Sequence, residues 1–359
     1  MKEQIHLLVF VCIAACSSNI LLAQHDKEGT KYFDWLNNKD ISQPVKNPNA
    51  KKLPLVKVHG NKFVDERGDT ILFRGVSIAD PDKIEQQGRW NRNLFVKIKE
   101  YGATLVRLPV HPVPWRMRTP EKFLQLLDQA VEWCTELGMY VIIDWHSIGN
   151  LEMELFQSPE YVTTRKETYE FWRTIALHFQ GNNTVAFYEL FNEPTVFHGK
   201  LGRMSWSEWK KINEDIIALI RAYDDERIPL VAGLDWAYDL TPLRNEPIEA
   251  EGIGYVAHPY PHKRDKPYVP KWEEDFGFAA GRYPMVVTEF GFSKGKQGLA
   301  ENGEYGKEIV QYLEGKGISW VCWIYDPLWK PTLIESWDTF KLTESGEFFR
   351  KALRREIEK

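Results

Sequence analysis

The chain has 359 residues, 43% of them hydrophobic and 13% aromatic, with a formal net charge of -5. That much apolar side chain is enough for one large core or two modest ones, which excludes a disordered polymer. Lys and Arg are scattered along the chain and form no basic stripe, so nucleic acid and anionic membrane are excluded as expected partners.

Residues 1–24 stand apart from the rest. Leu7 to Ala15 form an apolar run too short to span a bilayer, followed by small residues and Leu21-Leu22-Ala23-Gln24. This is the pattern of an export signal, with no transmembrane segment. Ile13-Ala14-Ala15-Cys16 also resembles a lipobox, which would anchor the chain at the outer membrane through Cys16. Cleavage near Ala23 or Gln24 is the preferred reading, because Asn19-Ile20-Leu21-Leu22-Ala23 is too apolar for a tether. Residues 25–52 are polar and rich in Asn, Lys, Pro and Asp, as in Asn37-Asn38-Lys39-Asp40, and read as a surface leader. The remaining 53–359 is expected to be one monomeric catalytic unit. Beyond the signal only Cys134 and Cys322 occur, in a helix-like and a strand-like context, and both are expected to be buried free thiols.

Val56 to His59, Gly60-Asn61 and Lys62 to Val64, with a turn at Glu66-Arg67-Gly68-Asp69, predict a short β-hairpin that caps the bottom of the catalytic unit. Eight apolar runs then predict strands at Ile71–Ile78, Thr104–Val110, Met139–Trp145, Val185–Phe191, Pro229–Ala232, Ile253–Ala257, Met285–Phe290 and Ile318–Ile324. Amphipathic stretches at Glu121–Leu137, Glu167–Phe179, Ser207–Tyr223 and Tyr305–Lys316 predict helices between them. The fifth unit is the weakest, because Leu240–Ala250 is a poor helix with two prolines. Near-continuous hydrophobic strands separated by helices mean a parallel sheet covered on its faces. Eight βα units over roughly 250 residues fit a closed TIM (β/α)8 barrel. The first strand lacks a Gly-rich phosphate turn, which weakens the dinucleotide-binding alternative.

Active sites of such barrels gather at the C-terminal ends of the strands. The polar or aromatic residues there are Arg107, His146, Asn192, Glu193, His258, Tyr260, Glu289 and Trp323. Glu193 and Glu289 lie 96 residues apart, about three βα units of roughly 31 residues, so they face each other across the barrel mouth. Two opposed acids suit glycosidic bond cleavage, one protonating the leaving oxygen while the other attacks or directs water; a pair about 5 to 5.5 Å apart predicts retention. In Phe191-Asn192-Glu193-Pro194, the Asn amide can donate to a sugar 2-hydroxyl. A buried ion pair with an arginine is the structural alternative for either Glu, and the reading preferred for Glu189, deeper in the same strand.

These residues, in this order, resemble glycoside hydrolase family 5 of clan A, the family of many cellulases and mannanases. The resemblance runs from about Phe73 to Ile334. Arg107 in Leu105-Val106-Arg107-Leu108-Pro109 is similar to the family's strand 2 arginine, and His146 in Ile143-Asp144-Trp145-His146 to its strand 3 histidine. Asn192 and Glu193 are similar to the Asn-Glu pair, His258-Pro259-Tyr260 to the His-x-Tyr, and Trp323 to the strand 8 tryptophan. The resemblance implies a retaining β-glycanase with Glu193 as acid/base and Glu289 as nucleophile. Arg107 and Tyr260 are then expected to hold Glu289 ionised, while the charge of Glu289 keeps Glu193 protonated.

Fourteen Trp and fifteen Tyr are many for this length. Flat rings stack on pyranose faces, and Trp115, Trp145, Trp206, Trp236, Tyr238, Tyr325 and Trp329 fall in loops at the expected barrel top. Trp236 and Trp323 are the preferred sugar platforms, and Ile148–Tyr161 and Phe197–Trp206 are long enough to shape subsites. The expected substrate is a β-linked polysaccharide, β-1,4-glucan first, with β-mannan and xyloglucan as alternatives. A non-catalytic sugar-binding barrel and a zinc site at His146 and His258 are the remaining readings. No metal or cofactor is expected, because the histidines lack carboxylate or Cys partners at metal spacing.

Overall fold

The computed structural model describes residues 53–293 and 304–357. The export signal and the polar leader lie outside the described residues, as does Cys16. In chain order the strands are β1 Lys57–His59, β2 Lys62–Val64, β3 Thr70–Ile71, β4 Arg74–Ser77, β5 Leu105–Val110, β6 Tyr140–Trp145, β7 Ile148–Asn150, β8 Leu155–Phe156, β9 Val185–Glu189, β10 Glu193–Pro194, β11 Ile228–Ala232, β12 Gly254–Val256, β13 Met285–Val287 and β14 Ser319–Cys322.

Eight of these close into a parallel barrel in the order β4-β5-β6-β9-β11-β12-β13-β14, with β14 pairing back to β4. This is the TIM barrel. Helices Pro120–Leu137, Arg165–Phe179, Trp206–Arg221 and Glu304–Lys316 cover it, each within two residues of its expected span. Local chemistry sets their ends: Ser205 and Glu208 form a reciprocal capping box, Thr164 caps onto the Glu167 amide, and Gly138 terminates its helix in the left-handed region. The weak fifth unit has no full helix. In its place are a turn at Leu234–Ala237 and a single 3-10 turn at Thr241–Arg244.

The cap is a three-stranded antiparallel sheet, β1-β2-β3, and not a simple hairpin. Ile71 belongs to it instead of to the first barrel strand, because it pairs with Phe63. Phe63, Phe73 and Phe187 pack edge to face with centroids 5.0–6.2 Å apart. They share one buried cluster with Leu105, Ile142, Leu230, Val256, Val286 and Val321, which fills the barrel interior.

Strand parity then decides what lies above that plug. On β5, Leu105 belongs to the interior cluster while Val106, Leu108 and Val110 belong to the outer, helix-facing one, so Arg107 points inward. The same alternation turns Asp144 inward two residues after Ile142, Glu189 after Phe187, His258 after Val256, Thr288 after Val286 and Trp323 after Val321. The register sets Asp144 directly beside Glu189. A polar layer is thus laid over an apolar one by strand ends and the residues just past them.

Parity also corrects several expectations. Trp145 points outward, stacks on Phe171 at 4.1 Å and donates its indole N–H to Thr168, so it is helix packing and no sugar platform. Trp115, Trp206, Tyr238 and Tyr325 are likewise buried. Cys134 and Cys322 are free and buried, as expected.

Candidate active site

The polar layer is organised by one guanidinium. Arg107, fully buried, donates from Nε to Glu189 Oε2 at 2.7 Å and from Nη2 to Glu189 Oε1 at 2.9 Å. Its Nη1 donates to Glu289 Oε1 at 2.7 Å and its Nη2 reaches Asn192 Oδ1 at 2.7 Å and Asp144 Oδ2 at 2.9 Å. The planar fork lets one side chain hold three carboxylates and an amide in fixed directions, which a lysine would not do. Glu189 is the core ion-pair partner its position suggested. Arg107 lowers its carboxyl to about 2, overcoming the upward push of burial.

Glu289 lies just past β13, and its second oxygen accepts from the Tyr260 hydroxyl at 3.1 Å. Glu193 does not end the fourth barrel strand, which stops at Glu189; it forms β10 with Pro194, paired to β7 in a small separate sheet. Past Glu189 the backbone keeps its barrel neighbours, Leu190 N–H bonding Leu230 O and Asn192 N–H bonding Trp145 O at the end of β6, and then follows the chain that continues β6 outward, the Glu193 amide bonding Ser147 O. This extension carries Glu193 to the mouth beside Glu289. Ligand atoms of Glu193, His258 and Glu289 all lie within 4.8 Å of one another. That spacing would admit a cation, but both Glu289 oxygens are already bonded and the Arg107 charge is 2.7 Å away.

His258, fully buried, joins the two sides. Its Nδ1 faces Glu193 Oε1 at 3.0 Å and its Nε2 faces Thr288 Oγ1 at 2.9 Å. The Thr288 hydroxyl donates its single proton to Glu189 at 2.8 Å, so it accepts from His258 Nε2–H. The bond between His258 Nδ1 and Glu193 therefore holds one proton that either partner can carry. Burial pulls the imidazole down, but Glu289, Glu189 and Glu193 raise it further, above its ordinary range. Burial raises the Glu193 carboxyl, and His258 and Lys263 more than offset that, leaving it low. Glu289 stays above its ordinary range because burial outweighs His258 and Arg107. This reverses the expected order, in which Glu289 was low and Glu193 high. Both carboxyls are buried, and the sequence did not show that His258 and Lys263 stand by Glu193 while Glu289 faces Glu193 and Glu189.

His146 is bonded through Nδ1 to Asp144 Oδ2 at 2.6 Å and lies parallel to the Trp323 ring, with centroids 5.8 Å apart and planes 5° apart. Burial lowers the imidazole well below its usual value and raises the Asp144 carboxyl well above its own, so this contact also holds a single proton. Trp236 is placed apart from this network. It is half-buried over the loop after β11, and its indole N–H donates to Gln157 Oε1 at 2.6 Å. Asp144, Thr288 and Lys263 were missed as site residues. The first two carried a signal, being lone polar residues in apolar runs; Lys263 carried none.

An eight-stranded parallel barrel whose C-terminal mouth holds two facing carboxylates, tied into a buried network of arginine, histidine and tyrosine, is the framework of a barrel glycoside hydrolase. Comparison with known sequences agrees. The chain belongs to glycosyl hydrolase family 5, the cellulase family, whose sequence model matches residues 64–328. Among solved structures it is similar to the β-glucanase SdGluc5_26A of Saccharophagus degradans, crystallised with cellotetraose: 44% identity, TM-score 0.86, over 90% of this chain and 99% of that one. Cellulase CelDZ1 of a Thermoanaerobacterium species is 24% identical over 88% of this chain and 80% of its own. Endoglucanase E-5 of Thermobifida fusca is 24% identical over 87% of this chain, which spans 66% of that protein.

Proposed function

We propose that this glycoside hydrolase is an exported endo-β-1,4-glucanase that cleaves by double displacement with retention, Glu289 attacking and Glu193 serving as acid and then base. The observation that carries the reading is the Glu193–Glu289 approach within 4.8 Å, too close to seat a water between sugar and base and suited to direct attack. The similar Saccharophagus protein holding cellotetraose supports a β-glucan substrate.

Glu289 attacks the anomeric carbon, oriented by Arg107 and Tyr260. The proton on the Glu193–His258 bond passes to the departing glycosidic oxygen, so the leaving sugar departs as a neutral alcohol. Once the glycosyl ester forms, Glu289 is neutral, and Glu193 takes a proton from water as that water attacks the same carbon. Asn192, its carbonyl oxygen tied to Arg107, directs its N–H donors at the sugar 2-hydroxyl. Trp323, its ring stacked parallel to His146, is the platform for the sugar on the nucleophile side. None of these steps calls on a metal, and activity is expected to be indifferent to EDTA.

Glu193→Ala and Glu289→Ala each reduce hydrolysis by about 10⁴-fold or more. Azide restores turnover of an activated aryl glycoside in the Glu193 variant with the retained β-glycosyl azide as product, whereas any azide product of the Glu289 variant has the inverted α-configuration. NMR of the first-formed product shows the β-anomer; an α-anomer first overturns the retaining assignment. Carboxymethylcellulose and lichenan are expected to be cut faster than galactomannan or xyloglucan, and the reverse order replaces glucan as the substrate.

A further inference from the structure

Nine non-glycine residues among those described have φ in the left-handed region, and five of them meet at one place. Asp235, Trp236 and Ala237 are consecutive, at φ 57°, 56° and 57°; Phe197 and His198 are consecutive, at 42° and 54°. Side chains with a Cβ rarely adopt this conformation, and runs of it are rarer still, so something must hold it. The Trp236 ring lies at the junction, with Phe197 at 5.7 Å and His198 at 5.6 Å, both edge to face.

The holder is the loop after β12. All three carbonyls of the left-handed turn accept from it: Lys263 Nζ donates to Asp235 O and Trp236 O, each at 2.9 Å, and the His258 amide donates to Ala237 O at 2.7 Å. The Lys263 ammonium also stands 5.3 Å from the Trp236 ring centroid. Gly233 lets the turn close, since a Cβ there would lie 2.6 Å from Asp239 O. Barrel order assigns the turn a side. Trp236 follows β11, next to the β9–β10 segment that bears Glu193, and Trp323 follows β14, next to β13 and Glu289. The turn packs directly on β10. The group that protonates the leaving oxygen is on the side where the leaving sugar lies.

We propose that Lys263 is a positioning residue for the leaving-group side: it locks the left-handed turn that presents Trp236 as the platform for the first glucosyl unit beyond the cleaved bond. The inference rests on Glu193 being the acid. Trp236 then meets the sugar, while Lys263 reaches it through the turn, apart from the charge that Lys263 sets near Glu193.

The test compares Lys263→Met, Trp236→Ala and the double variant on two substrates. Cellohexaose needs sugar bound on both sides of the cut. A 2,4-dinitrophenyl β-cellotrioside has no sugar on the leaving side and needs no protonation. Lys263→Met is expected to lower kcat/KM on cellohexaose by about tenfold more than on the aryl glycoside, most of it in KM. In the double variant the cellohexaose loss is expected to match that of Trp236→Ala alone. Equal losses on the two substrates, or losses that multiply in the double variant, overturn the proposal, the second showing that the loss comes from the Lys263 charge near Glu193 and not from the turn. Hydrolysis of the aryl glycoside reports that each variant is folded. A Glu193→Ala enzyme that azide does not rescue would instead sink the acid assignment, whatever the Lys263 result.

Discussion

The two sides of the barrel mouth are built by different means. The Glu289 side stands on strands: Arg107, Asp144, Glu189 and Thr288 are inward positions of regular or just-ended β-structure, and their directions follow from the pleat. Its difficulty is electrostatic, since three carboxylates are buried around one guanidinium. The Glu193 side stands on loops: β10 has two residues, and the Trp236 turn is left-handed. Its difficulty is conformational. A barrel can place charge accurately at no backbone cost, but to reach over its own rim, as the Trp236 turn does, it must hold backbone in a disfavoured state.

After the two glutamates themselves, Arg107→Lys should show the largest effect. A lysine cannot serve Glu189, Glu289, Asn192 and Asp144 together, so carboxylates are left buried and unpaired, at about 3–5 kcal/mol of stability. Activity should fall by about 10³-fold. Urea unfolding and kcat measure the two, and wild-type stability in this variant would show that the ion cluster does not hold the Glu289 side together. Thr288→Val is nearly isosteric and should cost about tenfold in kcat. It leaves the His258 Nε2–H without an acceptor, which disfavours the imidazolium and moves the alkaline limb of the pH profile downward.

The pH dependence probes both sides at once. Glu289 must be ionised, and it lies above its ordinary 4.5; the Glu193–His258 bond must keep its proton, and His258 lies above its ordinary 6.5. A bell-shaped kcat/KM profile with its acid limb above 4.5 and its alkaline limb above 6.5 is expected. Stability has a different dependence. Glu189, lowered to about 2 in the fold, contributes stability that is fully present above its ordinary 4.5 and is lost as pH falls from there toward 2. Acid unfolding monitored by circular dichroism should begin in that window, and a Glu189→Gln variant should shift it. The smallest effect is expected from the thiols: burial raises Cys134 and Cys322 well above the usual range, so iodoacetamide should label neither before unfolding.

Arg107, Asn192, Glu193, His258, Tyr260, Glu289 and Trp323 were legible because a polar or large aromatic residue at the end of an apolar run has few uses other than at a barrel mouth. Glu189 was legible as their support for the same reason. Trp145 was misread because it sits beside His146 in sequence, while the pleat sends neighbours to opposite faces. The order of the carboxyl pKa values was misread because both carboxyls are buried alike, and it is the His258 bond and the Lys263 charge near Glu193, and the carboxylates near Glu289, that separate them.

Period-two and helical patterning, together with the spacing of strand-end residues, were sufficient for the barrel and the pair of glutamates, since both are repeated local signals that survive one-dimensional reading. The short hop of the chain from β9 to β10 was not, nor were the proton shared by Glu193 and His258 or the Lys263 lock on the Trp236 turn. Each of those depends on groups distant in sequence meeting at fixed distances, and those distances exist only once the barrel has closed.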